Sequence, residues 1–190
     1  MGIRRWPLQP RRRRRAGAIR CWLVTGSTSV ANGAWRQVAG VWDGTNLTVY
    51  VDGGQAGQNQ PASAPGWDYT PAATIGASLG GNGPGNLFNG KIDEVRVSSA
   101  AVYTGSFSPS AHLTASSSTM GLWKFDLQTT NDASSNQNNG TLYGGASYST
   151  DVPPNGTGNS LIRRVSAGGE DKSRAALSAT LGATTREGPM

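Results

Sequence analysis

The amino-acid sequence predicts an all-β fold, an antiparallel β-sandwich flanked by two disordered tails. Three observations support this: short runs of β-branched and aromatic residues, clusters of Gly, Asn, Asp and Pro between them, and no helical periodicity of any length. Strands that are separated at short intervals by such turns are typical of sandwiches and barrels. The 190 residues suffice for one domain, or for one domain with part of another.

The clearest predicted element is a β-hairpin. The run WRQVAGVW (residues 35–42) ends at the turn-forming cluster DGTN (43–46), and LTVYV (47–51) then alternates with period two. Two such runs around a short loop of Asp, Gly and Asn indicate a hairpin.

Further short strands are predicted after the hairpin. They are TIGA (74–77), KIDEVRV (91–97), MGLWKFD (120–126) and GTLY (140–143). The glycine-rich segment 80–85 between the first two is predicted as a loop. Trp35, Trp42 and Trp123 lie within predicted strands, and we expect them mainly in the core.

The basic charge is concentrated at the two ends of the chain. Residues 1–20 contain eight arginines and no acid, whereas residues 21–160 contain four basic residues and eight acids. The middle of the chain therefore has no basic face for a phosphate backbone, and nucleic-acid binding is conceivable only through the arginine-rich arm. The arm, residues 1–21, and a loose tail, residues 153–190, are predicted to be disordered. Non-native sequence in front of a domain fragment is an alternative interpretation of the arm.

Composition excludes several classes of protein. No stretch approaches the roughly 18 apolar residues of a membrane span, and the arm lacks the apolar segment of an export signal. The single Cys21 excludes an intrachain disulfide framework, and the single His112 excludes a histidine-rich metal cage. His112 lies in a run of Ser, Pro and Ala, SPSAH, and is expected to be a solvated loop residue.

Three motifs within the predicted strands carry a resemblance to a known family. WRQVAGVWDG with LTVYVDG resembles a central hairpin, and FNGKIDEVRV (88–97) resembles a closing strand. GLWKFD (121–126), followed by DASSN (132–136) and NGTL (139–142), resembles a set of opening strands. Together they resemble the laminin-G-like, concanavalin-A-like jelly-roll domains over about residues 34–152, and the resemblance implies a jelly-roll sandwich.

The order of these motifs differs from that of the family, in which the opening strands come first. Residues 22–115 resemble the C-terminal half of one repeat, and residues 116–152 resemble the opening strands of the same or a following repeat. In the jelly roll the opening and closing strands lie side by side, so MGLWKFD could pair antiparallel with KIDEVRV in this chain. The alternative is an incomplete sandwich, whose open strand edges would favour self-association.

The resemblance implies a non-catalytic module of an extracellular or cell-surface protein of several repeats, with a glycan or a cell-surface protein as partner. In such domains, aromatic faces for sugar rings and Asp or Asn oxygens lie at loop rims. The loop PGWDY offers Trp67, Asp68 and Tyr69 as a carbohydrate site, unless Trp67 folds back onto the sandwich edge. A structural or assembly repeat without a ligand is the alternative function.

A polysaccharide-cleaving enzyme is disfavoured by the spacing of the acids. Such an enzyme needs two carboxylates that flank the scissile bond. Asp93 and Glu94 are adjacent, so on a strand they would face opposite ways. We expect one of them to be satisfied by Arg96 or by backbone donors.

Calcium is the one cofactor for which the sequence offers candidate ligands. Asp43 and Asp52 end the two hairpin strands, and Asp132 opens a stretch with oxygen-bearing side chains at alternate positions. These three are the candidate ligands, although an Asx-rich turn explains the stretch after Asp132 equally well.

Overall fold

The computed structural model describes residues 24–61, 73–80, 83–85, 87–163 and 176–180. They form eleven short strands and a 3-10 turn at Asp126–Gln128, with no helix long and apolar enough to cross a membrane. The strands are β1 (Gln37–Trp42), β2 (Leu47–Val51), β3 (Gly54–Asn59), β4 (Ser78–Gly80), β5 (Gly83–Gly85), β6 (Lys91–Ile92), β7 (Val95–Ser98), β8 (Thr119–Trp123), β9 (Ala146–Ser149), β10 (Ser160–Arg163) and β11 (Ala176–Thr180). The predicted all-β fold is confirmed.

The predicted hairpin is confirmed by the antiparallel pairing of β1 with β2. Val38 lies opposite Val51, and Trp42 lies opposite Leu47. A third strand, β3, pairs with β2 and extends the hairpin into a meander. The sequence did not predict β3, because its residues, GQAGQN, have low β-propensity and are mostly exposed at the edge of the sheet.

Two strands lie within residues 153–190, which the sequence analysis assigned to a disordered tail. β10 pairs antiparallel with β6 and β9, and its Leu161 packs against a buried cluster around Ile92. β11 pairs in parallel with β1 and extends the meander at its other edge. The physical reason for the difference is that partner strands far along the chain supply the hydrogen bonds that local propensity does not predict.

The segment predicted as one strand, KIDEVRV, forms two strands with different partners. β6 pairs with β10, whereas β7 pairs antiparallel with β8 so that Val95 lies opposite Trp123. The chain therefore contains the pairing of closing-type and opening-type segments that was one of the two arrangements considered above.

Three local predictions differ from the structure. TIGA forms bends, and strand begins only at Ser78. The glycine-rich segment 80–85 is not all loop, because β4 and β5 pair antiparallel across it. GTLY is irregular, and the strand lies further on, at β9. The local composition of each segment is compatible with strand and with loop, so pairing with other segments determines which of the two forms.

Two buried clusters form the core. One contains Ala39, Val41 and Tyr50, with Tyr103 and Phe107 packed against it. The other joins side chains from distant parts of the chain: Ile92, Val95 and Phe125 are buried, and Ile75, Phe88, Trp123, Tyr148 and Leu161 pack on them. The second cluster therefore combines residues that precede β7 in the chain with residues that follow β8.

The β7–β8 pairing makes a stability prediction. Leu122 in β8 is only 2% exposed, whereas Leu127, which lies shortly after the end of β8, is 90% exposed. We expect Leu122→Ala to lower the free energy of unfolding by about 2–5 kcal/mol, because it leaves a cavity, and the matched Leu127→Ala to change it by less than about 0.5 kcal/mol. Chemical denaturation of the full chain measures both, and equal effects of the two variants would contradict the burial of β8.

Candidate functional site

A cavity of about 290 Å³ lies beside the start of β1. Its volume is close to the lower end of the roughly 300–1,000 Å³ that is usual for small-molecule sites. The lining comes from separate parts of the chain: residues 35–37, Asp52, Asp93 with Glu94, residues 109–111 with Leu113, and the segment 153–155.

The first wall is the junction between β1 and the turn after β2. Arg36 Nη1 lies 2.5 Å from Asp52 Oδ2, and the Gln37 N–H donates to Asp52 Oδ1 over 3.0 Å. In return the Asp52 N–H donates to the Gln37 carbonyl over 2.8 Å. These bonds fix Arg36 and Gln37 at the rim of the cavity.

The second wall is the segment that follows Phe107. The Phe107 N–H donates to the Gly53 carbonyl over 3.0 Å. Gly53 has a φ of +79°, and a Cβ at this position would overlap the Phe107 carbonyl. Glycine therefore permits both the left-handed turn and the close approach of this segment.

The third wall, segment 153–155, is anchored by Asp151. Asp151 Oδ1 accepts a hydrogen bond of 3.2 Å from the Trp35 indole Nε1, and Asp151 Oδ2 lies 2.9 Å from Lys91 Nζ. The Ser160 hydroxyl donates to the Asp151 carbonyl over 2.7 Å. Trp35, which the sequence placed in a strand and mainly in the core, thus precedes β1 and borders the cavity half-buried.

Glu94 is buried and bound by groups from the second wall. Its Oε2 accepts a hydrogen bond from the Leu113 N–H, and its Oε1 lies 3.2 Å from His112 Nδ1. The sequence predicted that Arg96 or a backbone donor would satisfy one of the two acids. The Leu113 N–H does so for Glu94, whereas Arg96 donates to the Thr114 carbonyl. His112 is a partly exposed loop residue, but its ring also lies against Glu94, which the sequence did not predict.

Asp93 is the least satisfied acid of the cavity. It is 3% exposed, and its Oδ1 has no hydrogen-bond partner in the protein. Burial and, to a smaller extent, the negative charges of Glu94 and Asp126 together raise its pKa to about 7, against an opposing effect of His112. Asp93 and Glu94 both border the cavity, contrary to the expectation of opposite faces, because the chain leaves the strand conformation between β6 and β7.

Unsatisfied polar atoms are concentrated at this cavity. Five buried side-chain polar atoms of the described residues lack a hydrogen-bond partner, and three of them belong to residues that line the cavity: Arg36 Nε, Gln37 Oε1 and Asp93 Oδ1. Unpaired buried polar groups are rare in folded proteins and call for an explanation. These atoms are enclosed by the surrounding protein, so the unpaired positions lie within the wall of the cavity and not on its open surface. The sequence analysis missed Arg36 and Gln37, which carry no signal other than their place in a strand.

Asp132, a candidate calcium ligand, is saturated by donors of its own loop. Its oxygens accept the N–H groups of Leu122, Ser134 and Asn138 at 2.8–2.9 Å, and the Ser134 hydroxyl at 2.8 Å. Burial alone would raise the pKa of Asp132, but these hydrogen bonds outweigh it and lower the pKa. N–H groups that point at a carboxylate favour the anion and leave little room for a cation.

The other two calcium candidates lie at opposite ends of the hairpin. Asp43 accepts the Thr45 and Asn46 N–H groups at 2.8 and 2.7 Å, which forms an Asx turn. Asp52, at the other end, is bound to Arg36. The structure does not bring Asp43, Asp52 and Asp132 together, and nowhere in the described ranges are three or more His, Cys, Asp or Glu placed to hold a metal.

The predicted carbohydrate-binding residues Trp67, Asp68 and Tyr69 lie outside the described residues.

The raised pKa of Asp93 makes stability depend on pH. Its pKa rises from an ordinary value of 3.8 to about 7 on folding, so between these values the folded state binds more protons than the unfolded state. The free energy of unfolding therefore falls as the pH rises through this window and stays low above pH 7.

We expect Asp93→Asn to remove this decline and to be the more stable protein above pH 7. Each unit of pKa shift corresponds to about 1.4 kcal/mol, so the gain is on the order of a few kcal/mol. Denaturation curves from pH 4 to 8 measure it, with Asp43→Asn as a control of the same charge change on an exposed turn. Parallel curves for wild type and Asp93→Asn would contradict the assignment.

Calcium is expected to leave the stability of the chain unchanged. A ligand at 100 times its dissociation constant adds about 2.7 kcal/mol, so a bound ion would shift the thermal midpoint by several degrees. Since the three candidate carboxylates are separated and held by N–H donors, we expect midpoints in millimolar calcium and in chelator to agree within about 1 °C. A rise of several degrees in calcium would show a site that these carboxylates do not explain.

The comparison with protein families finds a match over residues 13–105, about half of the chain. The matching family model is described as the concanavalin A-like lectin/glucanases superfamily, of the laminin-G type. The match begins within the arginine-rich arm and ends before the opening-type motif GLWKFD. No similar protein was found among curated proteins, and none among solved structures. The all-β fold and this match together show that the chain contains a laminin-G-like domain of the concanavalin A-like superfamily.

Proposed function

We propose that this chain is a non-catalytic module that binds carbohydrate in the cavity beside β1, as part of an extracellular protein of several repeats. Laminin-G-like domains are commonly non-catalytic binding modules, and the description of the superfamily includes lectins. The observation that carries the proposal is a cavity close to small-molecule size that is lined by Trp35 and by the polar residues Arg36, Gln37 and Asp93.

The chemistry of these side chains suits a sugar. A guanidinium such as that of Arg36 can donate to a hydroxyl oxygen, while an amide such as that of Gln37 and a carboxylate such as that of Asp93 can each accept a hydroxyl proton. The indole of Trp35 borders the same space, and its bond to Asp151 orients the ring. An apolar ring face beside a few converging polar groups is the usual composition of a small-molecule site.

Trp67, Asp68 and Tyr69 are proposed as further carbohydrate-binding residues. Two aromatic residues and an acid in a connection rich in Pro and Gly can stack on a sugar ring and accept its hydroxyl protons. This part of the proposal rests on the sequence alone.

The bonding of the acids supports binding rather than hydrolysis. Asp52 is engaged by Arg36 and Gln37, and Glu94 is engaged by His112 and the Leu113 N–H. Hydrolysis of a glycosidic bond needs two available carboxylates, one on each side of the bond. Of the acids that border the cavity, Asp93 alone has an oxygen atom that is both buried and unpaired.

Glycan binding by the full chain tests the proposal. We expect a subset of an array of oligosaccharides to bind, and Gln37→Ala to weaken binding about 2- to 10-fold, which corresponds to the loss of one hydrogen bond. Gln55→Ala, in the exposed strand β3, is the matched control and should bind as wild type does. Trp67→Ala tests the loop separately.

Two results would count against this function. If no glycan binds and the mass from light scattering rises with concentration, the chain is better described as a ligand-free assembly repeat. If the same incubations release reducing sugar, and Glu94→Gln abolishes the release, the module is an enzyme.

A further inference from the structure

Arg36 and Asp52 form an ion pair in the lining of the cavity. Arg36 Nη1 lies 2.5 Å from Asp52 Oδ2, and the two side chains are 30% and 37% exposed. The other carboxylate oxygen, Asp52 Oδ1, accepts the Gln37 N–H over 3.0 Å, which holds the carboxylate against the start of β1. The pair is therefore both fixed by the backbone and within reach of a molecule in the cavity.

The lining of the cavity carries more negative than positive charge. Within the described part of the chain, Arg36 is the only lysine or arginine that borders the cavity, and Asp52 neutralises it. Two further acids, Asp93 and Glu94, border the same space. His112 lies 3.2 Å from Glu94 and offsets its charge only when the imidazole is protonated. A molecule that enters the cavity therefore meets a net negative charge.

This charge separates neutral sugars from acidic ones. A sugar carboxylate or sulfate is best bound by a guanidinium that offers it two N–H groups, but the Arg36 guanidinium already binds a carboxylate of the protein. Like charges also repel more strongly in a partly enclosed site than in open water, because the effective dielectric constant is lower there. A neutral sugar meets no such repulsion, and the Asp52 carboxylate, with about four acceptor positions, can still accept a hydroxyl proton.

We propose that the Arg36–Asp52 ion pair makes this cavity select neutral sugars over sugars that carry a carboxylate or a sulfate. The inference rests on the proposed carbohydrate function and names the class of ligand for that site. Asp52 is the specificity-determining residue, because it occupies the guanidinium that an acidic sugar would otherwise bind. Removal of the Asp52 charge should release Arg36 and admit acidic sugars.

Asp52→Asn removes the charge with little change in shape. The Asn carbonyl oxygen can still accept the Gln37 N–H. Asp52 has a φ of +50°, in the left-handed region, and Asn is among the residues that adopt this conformation most readily. The Asn amide N–H groups would face the Arg36 guanidinium with donors against donors, so the ion pair is lost while the turn is kept.

The test is binding of the full chain to an array of neutral and acidic glycans that includes matched pairs, such as lactose with 6′-sulfolactose and cellobiose with cellobiouronic acid. It is done at low salt and pH 8, where the carboxyl of Asp93, with a pKa of about 7, is mostly ionised. We expect wild type to bind the neutral member of a pair at least 10-fold more tightly than the acidic member. Asp52→Asn should reduce this ratio to about 2-fold or less.

Asp43→Asn is the matched control. It removes the same charge on the turn at the other end of the hairpin, outside the cavity, and keeps an acceptor for that turn. Its ratio should equal that of wild type. The arginine-rich arm attracts acidic glycans in all three proteins alike, so a difference between Asp52→Asn and Asp43→Asn belongs to the cavity.

The salt dependence of wild type gives a second measurement, which does not require the variant to fold. The acidic glycan is measured by displacement of a bound neutral glycan, so that the signal comes from the cavity and not from the arm. Salt screens repulsion, since the Debye length falls from about 30 Å at 0.01 M to about 10 Å at 0.1 M. We therefore expect the acidic glycan to displace the neutral one more effectively as salt rises, and the reverse trend would overturn the proposal.

Three results of the array would count against the inference in different ways. Acidic glycans that bind wild type as tightly as their neutral partners would overturn the selection and leave the carbohydrate function standing. A preference for neutral sugars that persists in Asp52→Asn would overturn the role of the ion pair. If no glycan on the array binds, neutral or acidic, the carbohydrate function and this inference both fail.

Discussion

The antiparallel pairing of β7 with β8 is the constraint on which the rest of the molecule depends. It sets Trp123 opposite Val95 and brings Phe125 into the cluster with Ile92. Each large side chain buried in this way contributes roughly 1.5–3 kcal/mol, so a few of them decide whether a domain of ordinary stability folds. The pairing also separates β7 from β6, and the two acids of the cavity lie in the short connection between them.

The cavity concentrates polar groups that the fold leaves unsatisfied. Such groups lower stability, and proteins retain them mainly where they serve a function. Arg36, Gln37 and Asp93 are held in place by well-bonded neighbours, which include Asp52 and Glu94. The arrangement is therefore a set of polar side chains beside the cavity, held by hydrogen bonds of their neighbours.

Sequence reasoning predicted what local signals encode. The turn at 43–46 and the alternation after it identify the hairpin, and the motifs identify the family. It could not predict the contact of His112 with Glu94, because a fold contact brings together residues 18 positions apart. It placed Trp35 in the core because its strand signal is strong, whereas the bond to Asp151 spans 116 positions and has no local trace. β11 was missed for the same reason, since its pairing partner is β1.

The second and third walls of the cavity lie outside the residues that match the family. Segment 153–155 is joined to the rest of the site through Asp151, while the family match ends at residue 105. The match to laminin-G-like domains therefore covers the hairpin and the three acids that border the cavity, Asp52, Asp93 and Glu94, but not the complete pocket. Two descendants of one ancestral domain could keep the same hairpin and diverge in ligand specificity by exchanging only a short downstream segment.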